Sequence, residues 1–250
     1  MIILKTTSEL DTMRKSGIIA AKALELAGKY CKPGVTTAQI AVRIREYICS
    51  KGAKPSFLGY RGFKGVACIS VNDEVIHGIP GVRKLVSGDI VSVDVGAFYK
   101  GYHADNAFTF KVGDVSPEIE KLLDITQKSL YEGINKAVIG SRLGDISNAI
   151  QVFNERNGYS VVQDFVGHGI GKKMHESPEI PNFGRAGKGV RLTAGMTLAI
   201  EPMVNAGHHK IYCANDGWTI KTADGSLSAH FEHTVAITHN GPVILTKLES

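Results

Sequence analysis

Apolar and polar residues alternate along this chain with two periods, and the changes between them mark its elements. Leu10, Met13, Gly17, Ala21 and Leu24 recur three or four residues apart, the spacing of one helix face. Thr6-Thr7-Ser8-Glu9 ahead of them fits a capping box, with Thr6 as N-cap and Glu9 reaching back, and Pro33-Gly34 stops the helix. Thr36-Thr37-Ala38-Gln39 is a second cap. It opens a helix with Ile40, Ile44 and Ile48 on one face, ending at Gly52. Residues 66–71 and 75–79 read as strands around Asn72-Asp73, and Ile90 to Gly96 and His103 to Lys111 as paired strands. Ser116-Pro117 supplies an N-cap and an N1 proline for a helix to about Val138, and a further helix spans about Asp145 to Asn157. From residue 161 onward the pattern is strand and loop, rich in Gly and Pro.

The order helix, helix, strands occurs twice, which prompts a search for an internal repeat. A shift of 106 superposes Leu24 on Leu130, Gly34 on Gly140, Ile40 on Ile146, Ile44 on Ile150 and Gly52 on Gly158. A shift of 107 superposes the segment from Gly88 to Asp94 on that from Gly195 to Glu201, and a shift of 127 superposes His103-Ala-Asp105 on His230-Phe-Glu232. The extra offset places an insertion near 205–228. The expected architecture is a single domain over 1–250, made of two αα-ββ halves (roughly 6–112 and 116–248) related by a pseudo-two-fold.

Composition narrows the class without changing this picture. The 250 residues are 43% hydrophobic and 21% charged, with a formal net charge of +5, so disorder and a highly charged tail are excluded. A charge this small and diffuse predicts no sequence-specific nucleic-acid binding. Cys31, Cys49, Cys68 and Cys213 stand far apart with no C-x-x-C, which excludes a zinc ribbon and suits a reducing compartment. The opening Met1-Ile2-Ile3-Leu4 is too short for a signal peptide, and Lys22 and Glu25 break the richest apolar stretch, so no membrane span is expected. The location these features predict is cytoplasmic.

The chemistry lies in carboxylates where burial should forbid them. Asp94 ends the apolar strand Ile90-Val-Ser-Val-Asp, and Asp105 lies in the next strand. If Tyr99-Lys100 is a two-residue loop, Asp94 faces Asp105 directly; a three-residue loop using Gly101 shifts the register by one. The repeat gives Glu201 and Glu232 the same relationship. Two carboxylates about 5 Å apart repel by about 3 kcal/mol at an effective dielectric near 20. Four of them converging need raised pKa values or cations. Two divalent ions balance four negative charges, and one imidazole would complete such a set. His168, in Gly167-His168-Gly169-Ile170-Gly171, is the candidate. The same glycines do not match a dinucleotide fingerprint, because Lys172 and Met174 stand where glycine is needed, nor a Walker loop, because Gly171-Lys172-Lys173 lacks the Ser/Thr and the upstream glycine.

Asn72 to Pro80, Val93-Asp94-Val-Gly96, Asp105, Gly167 to Gly171, His175-Glu-Ser-Pro178, Ile200-Glu201-Pro-Met203 and His230-Phe-Glu232-His233 together resemble the type I methionine aminopeptidases, in their short bacterial form. The resemblance covers nearly the whole chain. It implies the α/β (α+β) pita-bread fold, a curved antiparallel sheet covered by helices. It implies two divalent metal ions (Co, Mn, Fe or Zn), one chelated by Asp94, the other by His168 and Glu201, with Asp105 and Glu232 bridging. It makes His77 and His175 non-ligand active-site histidines, with Glu201 the proton shuttle. Tyr60, Phe63, Cys68, His77, His175 and Trp218 fall at substrate positions, and Phe57 and Met174 at the pocket rim. The implied activity is removal of N-terminal methionine from nascent chains, preferably before a small second residue. The implied partners are nascent N-termini and the ribosome near its exit tunnel, and the implied state is a monomer. X-Pro aminopeptidases and prolidases share the fold and ligands but usually carry a further N-terminal domain. Non-catalytic relatives that dock at ribosomes have lost ligands, and here all five stand.

Overall fold

A computed structural model describes residues 1–248. Helix α1 (Thr7–Tyr30) and helix α2 (Thr37–Ser50) open the chain. Strands β1 (Lys54–Pro55), β2 (Cys68–Val71), β3 (Glu74–Ile76), β4 (Ile90–Asp94), β5 (Ala97–Tyr99), β6 (Tyr102–Ala104) and β7 (Asn106–Lys111) follow. The second half begins with α3 (Pro117–Lys136) and α4 (Leu143–Arg156). It continues with β8 (Ser160–Val161), β9 (Val166–Gly169), β10 (Glu176–Pro181), β11 (Thr197–Ile200), β12 (Met203–Asn205), β13 (Ile211–Cys213), β14 (Ile220–Thr222), β15 (Ser228–His230), β16 (Glu232–Thr238) and β17 (Gly241–Ile244).

Local chemistry explains the helix starts. Thr6 and Thr36 each accept from the backbone three residues on, while Glu9 and Gln39 accept from the cap N–H at 2.9 and 2.8 Å. Ser116 caps α3 with Pro117 behind it. Of the paired strands expected over 90–96 and 103–111, the first ends at Asp94, with β5 following from Ala97, and the second is interrupted at Asp105. β4 and β7 join a central sheet, and β5 and β6 a small one with β1.

The central antiparallel sheet runs β10-β9-β11-β16-β7-β4-β2, with β17 also on β16. The two halves meet where β7 pairs with β16. One face of the sheet packs on helices. Val91 and Val93 of β4 join Ile19, Ile40 and Ile44 of the first helix pair, and Leu198, Ile200, Val235 and Ile237 join Leu130, Ile146 and Ile150 of the second. Side chains alternate faces along a strand, so Asp94, Ala199 and Ala236 point the other way. The insertion expected near 205–228 is the β13–β14 hairpin, which pairs with β3.

The hairpin register differs from the expected one. Tyr99 pairs with Tyr102, so the loop is Lys100-Gly101 and Asp94 faces Ala107, not Asp105. A two-residue hairpin turn of this kind needs positive φ at both positions; Lys100 has φ 48° and Gly101 φ 90°. Placing the loop at Tyr99-Lys100 would have put that conformation on a tyrosine. The register moves by two residues, so every side chain keeps its face, and Asp105 remains diagonal to Asp94 on the same side.

Candidate active site

Five neighbouring strands each deliver one polar side chain to the face away from the helices. His168 stands on β9, Glu201 just past β11, Glu232 opens β16, Asp105 immediately precedes β7, and Asp94 ends β4. The register aligns them: Cys68 lies opposite Asp94, Asp94 opposite Ala107, and Ala107 opposite Glu232. The oxygens of Asp105 and Glu232 and a ring nitrogen of His168 lie within 4.8 Å of one another. His168 Nε2 is 3.9 Å from Asp105 Oδ2 and 3.7 Å from Glu201 Oε1.

The backbone is clamped around this cluster. Thr234 Oγ1 accepts from Asp105 N at 2.9 Å and donates to Asp105 O at 2.8 Å, joining the halves at their seam. Asn182 donates to the carbonyl of Glu201 at 3.0 Å. These contacts hold the backbone of Asp105 and Glu201 in place.

Burial sets the electrostatics. It pushes Asp94, Glu201 and Glu232 well above the usual carboxylate range, and their neighbours' negative charges push the same way. Asp105 is pushed up to about 7, again mainly by burial. Asp94 Oδ1 and Glu232 Oε1 are buried without a hydrogen-bond partner. His168 Nδ1 lies 2.9 Å from the carbonyl of Gly169, which can only accept, so Nδ1 carries the proton and Nε2 presents a lone pair to the carboxylates. Lone pairs converging on orphaned carboxylate oxygens are relieved either by protons on the carboxyls or by a cation among them. The donor set, four carboxylates and one imidazole, fits a hard or borderline divalent metal.

A cavity of about 150 Å³ adjoins the cluster. Tyr60, Phe63, Cys68, His77 and Trp218 all line it, with Phe57 and Met174. Phe63 and Trp218 meet edge to face, ring centroids 5.2 Å apart. Trp218 comes from the inserted hairpin, beside His77 at 6.5 Å. His77 has φ 59° and is held by the segment after it: Gly78 accepts from Ile69 N and donates to Ser70 Oγ. A Cβ on Gly78 would lie 2.3 Å from the Ile69 carbonyl, so only glycine fits there. His175 stacks on Tyr60, whose hydroxyl is 2.9 Å from Nδ1, and its ring centroid lies 4.1 Å from that of His168. A buried Lys5–Glu176 ion pair of 2.5 Å pins the loop that carries His175. Burial pulls His77 and His175 down to about 4, with the Arg61 charge adding to the shift of His175, so both imidazoles are neutral at pH 7.

All residues expected from the sequence therefore converge on one place. Arg61 and His230 were missed. Arg61 lines the cavity mouth. His230 is buried, with Nε2 3.6 Å from Glu201 Oε2 and no hydrogen-bond partner. Its closeness to Glu232 in the chain was the available signal, although the two fall on successive strands of different sheets.

Fold and cluster together define a metal-binding centre on a pita-bread scaffold. The family model "Metallopeptidase family M24" matches residues 11–239. The methionine aminopeptidase of Clostridium perfringens is 55% identical over 249 residues, covering all of both chains. The crystal structure of methionine aminopeptidase from Thermotoga maritima superposes with a TM-score of 0.98 at 46% identity, over 99% of this chain and all of that one. The chain belongs to metallopeptidase family M24 and, within it, to the methionine aminopeptidases. The prolidase of Pyrococcus furiosus shares the fold alone, at 24% identity and TM-score 0.81, with 66% of that longer chain covered.

Proposed function

We propose that this chain removes N-terminal methionine from nascent proteins and peptides as one cytoplasmic, monomeric catalytic unit with two pseudo-symmetric halves. The observation that carries this reading is the row of four carboxylates and His168, withdrawn from solvent at the end of a small apolar cavity.

Asp94, Asp105, His168, Glu201 and Glu232 would hold up to two divalent ions, with Co, Mn, Fe and Zn all compatible with the donor set. When bound, such ions supply a Lewis acid for the scissile carbonyl and acidify water. The cavity takes one unbranched side chain, and the aromatic edges of Phe63 and Trp218 suit a thioether. Tyr60 donating to His175 Nδ1 leaves its Nε2–H free to meet the oxyanion as it develops, and His77 donates from the opposite wall. Glu201, raised by burial, passes a proton to the leaving amine. A small second residue in the substrate, and docking near the ribosomal exit tunnel, extend the proposal.

The test is release of methionine from Met-Ala-Ser, set against cleavage of Ala-Pro peptides. Activity should vanish with a chelator and return with metal, on the methionyl peptide only. Preference for the Ala-Pro peptide would favour the prolidase reading. Metal-independence would contradict both.

A further inference from the structure

A second depression of about 450 Å³ continues from the cavity past His168 and His175, and Arg61 borders both. Its walls are Ile3, Val166, Lys173 and Glu179, with Glu176 alongside. On the peptidase reading the scissile bond of a methionyl substrate lies at the cluster, and this depression adjoins it through Arg61, His168 and His175. One extended residue spans about 3.3–3.6 Å, so the third and fourth residues reach the groove.

The charges here are unbalanced. Lys5 neutralises Glu176. Neither Arg61 nor Lys173 has a carboxylate at ion-pair distance among the described residues, and Glu179 is the opposing charge on the wall. The Arg61 guanidinium lies over the Tyr60 ring at 5.5 Å, next to the His175 that Tyr60 holds. Its backbone is unusual as well. Arg61 has φ 49°, left-handed for a non-glycine residue. The turn is held by Phe63 N donating to Tyr60 O and by Gly59 N donating to Phe63 O, both at 2.9 Å. Glycine or asparagine would sit there with less strain. An unpaired cation kept at a strained position beside the scissile site points to a role in substrate selection.

We propose that Arg61, assisted by Lys173, is a specificity-determining residue that favours substrates with acidic side chains at the third or fourth position over those with basic ones. This rests on the peptidase reading above. The contact is solvent-accessible, so it acts through KM and weakens with salt.

The experiment compares Met-Ala-Asp-Asp-Ser with Met-Ala-Lys-Lys-Ser on the metal-loaded protein at low and high ionic strength. Calorimetric binding of the product peptides Ala-Asp-Asp-Ser and Ala-Lys-Lys-Ser is the second readout. We expect kcat/KM for the acidic peptide to be about fivefold or more higher at low salt, carried by KM, with the same order in product binding. Arg61→Gln and Arg61→Gly should bring the ratio close to one, and Arg61→Gly should also raise Tm by relieving the backbone. A ratio of one in the native protein, or a ratio that survives Arg61→Gln, overturns the proposal. If neither peptide loses methionine, the peptidase reading itself fails, a separate and recognisable outcome.

Discussion

Asp94, Asp105, Glu201 and Glu232 are the residues for which folding is least favourable and binding most so. Asp105 and Glu232 are buried and Asp94 and Glu201 largely so, on a sheet whose strands are mostly apolar, and each is pushed upward in pKa by that burial. Without an ion, they repel. Asp94→Asn should therefore stabilise the metal-free protein by about 1–3 kcal/mol at pH 8 while weakening metal binding, a reversal visible by comparing Tm with and without metal. His175 differs, because it touches no lone-pair cluster of its own and is held by Tyr60. His175→Ala should lower kcat about 10²–10³-fold with metal stoichiometry unchanged. The carboxylates and His168 were legible in the sequence because charge in an apolar strand is conspicuous. Arg61 was not, because an exposed arginine in a Gly-rich turn looks like any surface cation until the turn is folded against the cavity.

At the scale of elements, helix starts were read correctly because capping is local: Thr6 with Glu9 and Thr36 with Gln39 make their bonds within four residues. Strand pairing is not local, and there the sequence misled. The Lys100-Gly101 turn has positive φ at both positions, and its glycine is the residue that adopts that conformation without strain. The site survived that error because the register moved by two. What no local pattern announces is the seam between β7 and β16, where Thr234 bonds both backbone groups of Asp105. Thr234→Val should weaken metal affinity about tenfold or more and destabilise the fold by about 1–3 kcal/mol, measured by calorimetry and denaturant unfolding. The inserted hairpin acts on the substrate side. Trp218→Ala should raise KM for methionyl peptides with little change in metal binding.

For the whole molecule, the buried histidines and carboxylates pull stability in opposite directions with pH. His77, His168, His175 and His230, held near 3–4, bind fewer protons folded than unfolded, so stability rises with pH up to about 6.5. Asp105, near 7, and its higher neighbours bind more protons folded than unfolded from about pH 4 upward, so their contribution falls as pH rises from there through 7 and above. The two effects oppose each other between about pH 4 and 6.5 and only the carboxylates act above it, so the Tm of metal-free protein should fall above about pH 6.5, whereas metal-loaded protein should keep it, with the gap widening as pH rises. This behaviour arises because two halves of one chain bring their acids to a common line, and no half alone assembles it. The most direct test is anomalous scattering from crystals of the manganese-replete protein. The account predicts peaks among Asp94, Asp105, His168, Glu201 and Glu232; an ordered, intact protein with no anomalous density there would contradict it.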